Sequence, residues 1–487
     1  MPRPYSLRNN PQFRLLNAWA DLDAENIKLK SRIADLEEEI TRLNKELEEA
    51  RRASKRQAAP FAKGGPKAHP KHPGRKPGHV AAQRPPPQPT EIHAVEDAPL
   101  PAACPACGGR FTEERIAVQF QVDIPPITPI TTQFNVHVGH CERCGRHVQG
   151  HHPGQTSDAL GAANLALGPR ALALAAEAKH DLGVPYTKIA RFFQVAFGLT
   201  VCRATFARSD QRVAKAYLGV YVQMIFALRQ ADAIGVDETG WRVGGYSAWL
   251  WVFATDSLTL YVIDPSRGHP VPENVLGSDF DGFVVADGLK SYNALDYRQQ
   301  KCLRHLIRNA EEILEAKTGP AAAFSRQAAA LFRGAIHLHH RRQAGQISDH
   351  GYAIACARLE HAFDRLLARH LSDPDNRHFA DRLRAHRHQL FAFLYHPGLP
   401  PTNARAEQEI RPAVVVRKTS ACNRAYTGAH VHEVLASVIR TCRRHGQSFI
   451  DLTFHRLTHP EAPLPDWFAR LLLLTPQPSP PIAVAPP

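Results

Sequence analysis

Two apolar runs in the 487-residue chain each finish on an aspartate. Ala233, Ile234, Gly235 and Val236 lead into Asp237, and "DGFVVADG" (281–288) leads into Asp287. A third acid follows far downstream in "TNARAEQEIRP" (402–412), where Thr402 or Asn403 caps an expected helix. Glu407 and Glu409 both qualify on charge; Ala406 and Ile410 share the buried side, and Glu407 lies next to it. Carboxylates a few Å apart repel one another unless a cation sits between them. Oxygen donors of this kind suit Mg²⁺, with Mn²⁺ as an alternative. Three carboxylates can hold two ions about 3.5–4 Å apart, one activating a nucleophile and one stabilising a leaving oxygen. Arg411, Arg417, Lys418 and Arg424 follow the third acid, so a phosphodiester is the substrate that fits the charge.

The elements that must position these acids are legible as patterns. "ADAIGVD", "SAWLWVFAT" (247–255), "LTLYVID" (258–264) and "DGFVVADG" read as strands, with a short helix near Asn274 to Leu276. If the first and fourth strands are neighbours, Asp237 and Asp287 emerge together. Glu238, one residue on, should face the other side of its strand, as an outer neighbour or toward solvent. Trp241 is expected to pack beneath the site. Cys302 and His305 form a CxxH near the second aspartate. Residues 320–396 read as helices. The His-rich "HLHHRR" (337–342) is expected to be a basic patch.

The remaining modules lie N-terminal. Leu22, Asn26, Leu29, Ile33, Leu36, Ile40, Leu43 and Leu47 keep heptad spacing, with Ile dominating a and Leu at d. That pattern favours a parallel two-stranded coiled coil and implies a homodimer. Residues 51–90 carry ten Lys and Arg and no acid, and Pro and Gly crowd residues 57–90. This is an expected linker, and Arg75 and Lys76 in "GRKPGH" resemble a basic arm that lies in a minor groove. Cys104 with Cys107 and Cys141 with Cys144 are two CxxC knuckles suited to one structural Zn²⁺ in a zinc-ribbon-like module, with a strand-like segment from Ile116 to His140 between them. "YTKIARFFQVAFGLTVCRATFARSDQRVAKAY" (186–217) reads helix, glycine turn, helix. Ile189, Ala190, Phe193 and Val195 are expected inside, with Thr205 and Arg208 on the second helix of a helix-turn-helix-like unit.

The net charge of +14 favours a polyanionic partner. No apolar run is long enough for a membrane span, and no signal segment opens the chain, so a cytoplasmic location is expected.

Together, "VDETGWRV" with "WLWVF", "ADGLKSYNAL" with "QKCLRHLIR", and "TNARAEQEIRP" resemble the insertion-sequence-66 family of bacterial transposases. The coiled coil, linker, four-Cys module and "LGPRALAL" follow that family's order. The resemblance implies a multidomain α+β protein. Its parts are a coiled coil (1–56), basic linker (57–98), zinc module (99–153), helical region (154–230), ribonuclease H-like α/β catalytic core in two parts (231–318 and 401–450), helical insertion (319–400) and C-terminal tail (451–487). It implies an Asp237, Asp287, Glu407 catalytic triad binding Mg²⁺, and cleavage and strand transfer at element ends in double-stranded DNA. His305 would lie near the scissile end, and Arg75, Lys76, Arg411, Arg417 and Lys418 would contact DNA. Accessory transposition proteins and a nucleoid association go with the family. The sequence departs from the family pattern at Ala404, where a second asparagine is usual, and after Lys418. The alternatives are a non-catalytic DNA-binding regulator of the same descent and a ribonuclease H-like nuclease acting on hybrids or junctions.

Overall fold

The computed structural model describes residues 85–161 and 166–473, together with Glu25, residues 28–44 and Glu46. Helix α1 (28–44) carries Leu29, Ile33, Leu36, Ile40 and Leu43, all of them exposed. The remaining heptad positions, and Arg75 and Lys76 of the linker, lie outside the described residues.

Strands β1 (Val138–His140) and β2 (His147–Gln149) form an antiparallel hairpin around the second CxxC. The rest of the segment expected to be strand-like, from Ile116 onward, forms no strand. Ile116, Val118, Phe120, Val122 and Ile124 alternate as a strand would, but all are exposed and lack a ladder partner. Pro125, Pro126 and Pro129 remove the amides that a longer ladder would need.

Three helices lead into the main sheet: α2 (Pro169–His180), α3 (Tyr186–Phe197) and α4 (Arg203–Arg229). Gly198 ends α3 with φ +68°, a left-handed cap that suits glycine. Ile189 and Phe193 are buried against Phe206 of α4. Val195, expected inside, is 68% exposed; two residues past Phe193 it has rotated to the far side of a 3.6-residue turn. Helix α4 is 27 residues long, and its second half, through Tyr217, Met224 and Leu228, enters the main core.

The central sheet contains β3 (Ala233–Val243), β4 (Tyr246–Ala254), β5 (Thr259–Asp264), β6 (Phe283–Ala286) and β7 (Arg298–Lys301), in the order β5-β4-β3-β6-β7. The first three strands form an antiparallel meander, and β6 and β7 continue from β3 in parallel. Helix α5 (Pro270–Leu276) precedes β6, and α6 (Leu303–Ala316) follows β7. An insertion then runs through α7 (Ala323–Gln343), α8 (Asp349–Leu367) and α9 (Pro374–Ala385). The chain returns as α10 (Ala404–Ser420) and α11 (Tyr426–Arg444), and closes with α12 (Phe449–Thr458) and α13 (Asp466–Leu473).

Side-chain alternation divides the packing by face. Ile234, Val236, Trp251, Phe253, Val284 and Ala286 pack with α4, α11 and α12. On the other face Trp241, Leu250 and Val252 pack under α10. Phe283 and Val285 pack beneath α6 and the insertion, against Leu306, Phe332 and Phe393. The insertion leaves and re-enters at one point: the Leu303 amide donates to the Pro401 carbonyl (3.0 Å), and the Asn403 amide donates to Cys302 Sγ (3.2 Å). Helix α11 lies along the β5 edge. Thr441 Oγ1, Ser437 Oγ and Glu433 Oε1 accept the outward amides of Thr259, Tyr261 and Ile263 at 3.3, 2.9 and 2.5 Å. Among the described residues no helix is long and apolar enough to cross a membrane.

Candidate functional site

Asp237 does not end its strand. It sits midway along β3, which runs on through Trp241 to Val243, with the indole Nε1 donating to Asn423 Oδ1 (2.8 Å) and stacked on His432. The parallel register pairs Ala233, Ile234 and Gly235 with Phe283, Val284 and Val285. The same offset of 50 residues brings Asp237 level with Asp287, just past the end of β6. Both belong to the face covered by α10, since Gly235 on that face lies directly under Asn403 and Ala406. A Cβ at Gly235 would stand 2.8 Å from Asn403 Oδ1, so glycine lets the helix approach.

Asn403 occupies the N-cap position of α10 without a side-chain cap; its amide instead donates to the Val236 carbonyl (2.8 Å). That bond ties the helix start to the strand one residue before Asp237, and Glu407 follows in the first turn. The two glutamates of α10 thereby separate. Glu409 is buried and bound by Arg440 (3.0 Å) and Arg444 (3.3 Å) of α11. Glu407 meets no Lys or Arg among the described residues. Its Oε1 lies 3.5 Å from His305 Nδ1, and both atoms are buried without a hydrogen-bond partner.

Burial and then the charges of Glu238, Asp287 and Glu407 push the Asp237 carboxyl up to about 7, against one lowering contact from the Glu238 amide. Asp287 is anchored by the Leu289 amide (2.8 Å). Lys301, at the end of β7, has its amine lowered to about 8 by burial while Asp287 pulls it back up. Lys301 donates to Asn293 and Gln299 rather than to the aspartates.

Glu238 does point to the opposite face, but not to solvent. Its carboxylate is 2% exposed and accepts from Tyr292 (2.7 Å) and Arg267 (2.9 Å). Burial raises its pKa, and those two donors lower it. A strand's far side is solvated only where nothing covers it; here Arg267 and Tyr292 do.

The donor oxygens of Asp237, Asp287 and Glu407 do not all lie within 4.8 Å of one another. Among the described residues the group that meets that limit is Cys302, His305 and Glu407. Asp237, Asp287 and Glu407 thus lie on one side of the sheet without forming a compact donor group.

Of the expected DNA contacts on α10, Arg411 and Lys418 are exposed. Arg417 instead turns to β3, where its guanidinium binds Thr239 Oγ1 (2.9 Å) and the Gly240 carbonyl. The two knuckles repeat one geometry. Cys104 and Cys141 each donate from the backbone to a carbonyl five residues on, and each accepts from a glycine of positive φ, Gly108 or Gly145. Backbone amides within each knuckle lower the Cys104 and Cys141 pKa values, which favours thiolates. The structure does not bring the two pairs together into one four-sulfur group. The extended segment between them contributes no pairing that would draw them in.

A sequence model of the Transposase IS66 family matches residues 164–431, more than half of the chain and the whole span from α2 through Glu407. The chain belongs to the IS66 family of transposases. It is accordingly a DNA-processing enzyme whose work requires contact with transposon ends. The four-Cys module and α1 lie outside the matched residues of this IS66 transposase. No curated protein matches the chain.

Proposed function

We propose that this IS66 transposase cleaves and joins DNA at Asp237, Asp287 and Glu407, which hold two Mg²⁺ or Mn²⁺ ions. The observation that carries this reading is the Asp237 carboxyl raised to about 7 by burial and by the neighbouring acids Glu238, Asp287 and Glu407. The strand order, with an antiparallel meander followed by two parallel strands, supports a ribonuclease H-like core. When bound, the ions would lower the pKa of an attacking water or 3′-hydroxyl and stabilise the leaving oxygen.

The chain's own residues do the positioning. Asn403 and Gly235 set the start of α10 against β3 and so place Glu407. Leu289 orients Asp287. Tyr292 and Arg267 hold Glu238 on the far face, away from the reacting side. Arg411 and Lys418 present cations to phosphates, joined by Arg75 and Lys76 of the linker. Zn²⁺ would close the two knuckles, Cys104 with Cys107 and Cys141 with Cys144, because closure must come from the ion where the polypeptide offers none. The exposed apolar stripe of α1 would pair with a second copy, bringing two ends together.

The test is cleavage and joining of end-containing double-stranded DNA by the full chain in Mg²⁺. Asp237→Asn, Asp287→Asn and Glu407→Gln should each abolish both steps while DNA binding persists. If all three variants cut as well as the wild type, the site is elsewhere. Binding of the ends by the wild type without any cutting would point to a regulator.

A further inference from the structure

Glu407 has a second set of neighbours, and they are not the ligands of a hard cation. Cys302, at the N-cap of α6, is 1% exposed. His305 lies one turn on, and its Nδ1 faces Glu407 Oε1 at 3.5 Å. The sulfur, the ring nitrogen and the carboxylate oxygen all lie within 4.8 Å of one another. Two of these atoms, His305 Nδ1 and Glu407 Oε1, are buried and make no hydrogen bond, an arrangement that is costly unless something else satisfies them.

The spacing has a reading in coordination chemistry. Tetrahedral bonds of about 2.0–2.1 Å to nitrogen and oxygen set those two atoms about 3.3–3.4 Å apart. The observed 3.5 Å separation matches that edge. A longer zinc–sulfur bond of about 2.3 Å widens the other two edges, within the 4.8 Å limit. Sulfur, imidazole and one carboxylate is a donor set that selects zinc-like ions over magnesium. Burial raises the Cys302 pKa, an effect that the amides of Asn403, His305 and Arg304 at the sulfur only partly offset, so the thiol gives up its proton as an ion binds rather than beforehand.

We propose that Cys302, His305 and Glu407 form a binding site for a thiophilic divalent ion of the zinc class, distinct from the four-Cys module. On binding, the Cys302 thiol gives its proton to solvent and bonds form from Sγ, Nδ1 and Oε1 to the ion, leaving one position open. The ion holds the Glu407 carboxylate on the α6 side, away from Asp237 and Asp287. Zinc therefore competes with Mg²⁺-dependent cleavage; this second consequence rests on the triad reading above.

The experiment uses Co²⁺ as a spectroscopic probe of the full chain carrying Cys→Ser at 104, 107, 141 and 144. This background should still bind Co²⁺ with thiolate-to-metal charge-transfer absorption. Adding Cys302→Ser should abolish that absorption, whereas adding Cys356→Ser, at a buried thiol elsewhere, should leave it. His305→Gln reads the same site without altering the thiol. It should weaken Co²⁺ binding by more than the roughly 10–100-fold that loss of an outer partner costs. If the background is poorly folded, zinc content decides: the otherwise wild-type chain should hold one more ion per chain than Cys302→Ser. Absence of thiolate absorption in the folded background, or its survival in Cys302→Ser, overturns the site.

For the second consequence, cleavage in excess Mg²⁺ is titrated with Zn²⁺. Each protein is compared with its own zinc-free rate. Wild type should be inhibited and Cys302→Ser should not. Equal inhibition of both, or of neither, overturns the competition. Failure of Mg²⁺-dependent cleavage itself would count against the triad and leave the Co²⁺ result standing.

Discussion

Asp237→Asn tests, without any DNA present, the penalty that burial and then the neighbouring acids place on an ionised Asp237. The carboxyl is raised from an ordinary 3.8 to about 7, roughly three pH units, and each unit is worth 1.36 kcal/mol. The full penalty for an ionised Asp237 is therefore up to about 4 kcal/mol. The sign follows from linkage. An acid whose folded pKa is raised contributes stability that is fully present below its unfolded pKa, near 4, and lost as pH rises through about 7. By pH 5 about 1.5 kcal/mol of the penalty has accrued, and by pH 8 nearly all of it. Asparagine never ionises. Its oxygen can still accept from the Glu238 amide, which donates to Asp237 Oδ1 at 2.9 Å. In magnesium-free buffer the variant should gain on the wild type between pH 5 and 8 by at most about 2.5 kcal/mol, and by about half that where solvent reaches the group. For a domain of this size the gap in Tm should widen by roughly 3–10 °C. Adding Mg²⁺ at pH 8 should raise the wild-type Tm and leave the variant's little changed. Thermal melts by circular dichroism at both pH values decide it. A gap that is the same at pH 5 and 8, or a variant less stable at pH 8, would show that burial and the neighbouring acids do not penalise an ionised Asp237 as argued.

The two glutamates of α10 should part company. Glu409→Gln removes the carboxylate shared by Arg440 and Arg444, leaving Arg440 with Asp181 and Arg444 with the Thr255 and Asp256 carbonyls, and should cost about 1–3 kcal/mol in denaturant melts, whereas Glu407→Gln should leave stability within about 1 kcal/mol and remove activity. Gly235→Ala should destabilise by about 1–3 kcal/mol and slow cleavage, because the new Cβ would meet Asn403 Oδ1 at 2.8 Å. Asn403→Leu should lose about 1–3 kcal/mol for the unmade bond to the Val236 carbonyl; an unaffected cleavage rate would mean that this bond does not place Glu407. Glu238→Ala should lower stability by leaving Arg267 and Tyr292 without their shared acceptor, yet retain measurable cleavage; complete loss of cleavage in folded protein would put Glu238 in the chemistry.

That two short apolar runs each stop on an acid was legible, but that their strands are neighbours was only a condition, which the β3–β6 pairing meets. Trp241 was legible as packing from its place before a hydrophobic hairpin. Other features depend on partners that no local pattern reveals. Glu238 is buried because Arg267 and Tyr292 reach it from 29 and 54 residues away. Glu407 and Glu409 look alike on their helix and differ only because Arg440 and Arg444 arrive from α11. Lys301 reads as an ordinary strand-end lysine until the insertion and Asn293 enclose it. Alternation from Ile116 to Ile124 suggested a strand, but a strand needs a neighbour, and the downstream prolines leave none. Arg417 resembled a free cation at a helix end and instead clamps β3 just beyond Asp237, at Thr239 and Gly240.

The seal along β5 bears on how the sheet meets other proteins. An open strand edge recruits any similar edge, and natural sheets take pains to prevent it. Here one stripe of α11, Glu433, Ser437 and Thr441, offers oxygens at the positions a sixth strand would supply. Two copies brought side by side would therefore not fuse their sheets along this border. Replacing Ser437 by alanine and Thr441 by valine would add no bulk to the helix but remove two of these acceptors. The cost would be borne less by the isolated molecule than by its solubility in company.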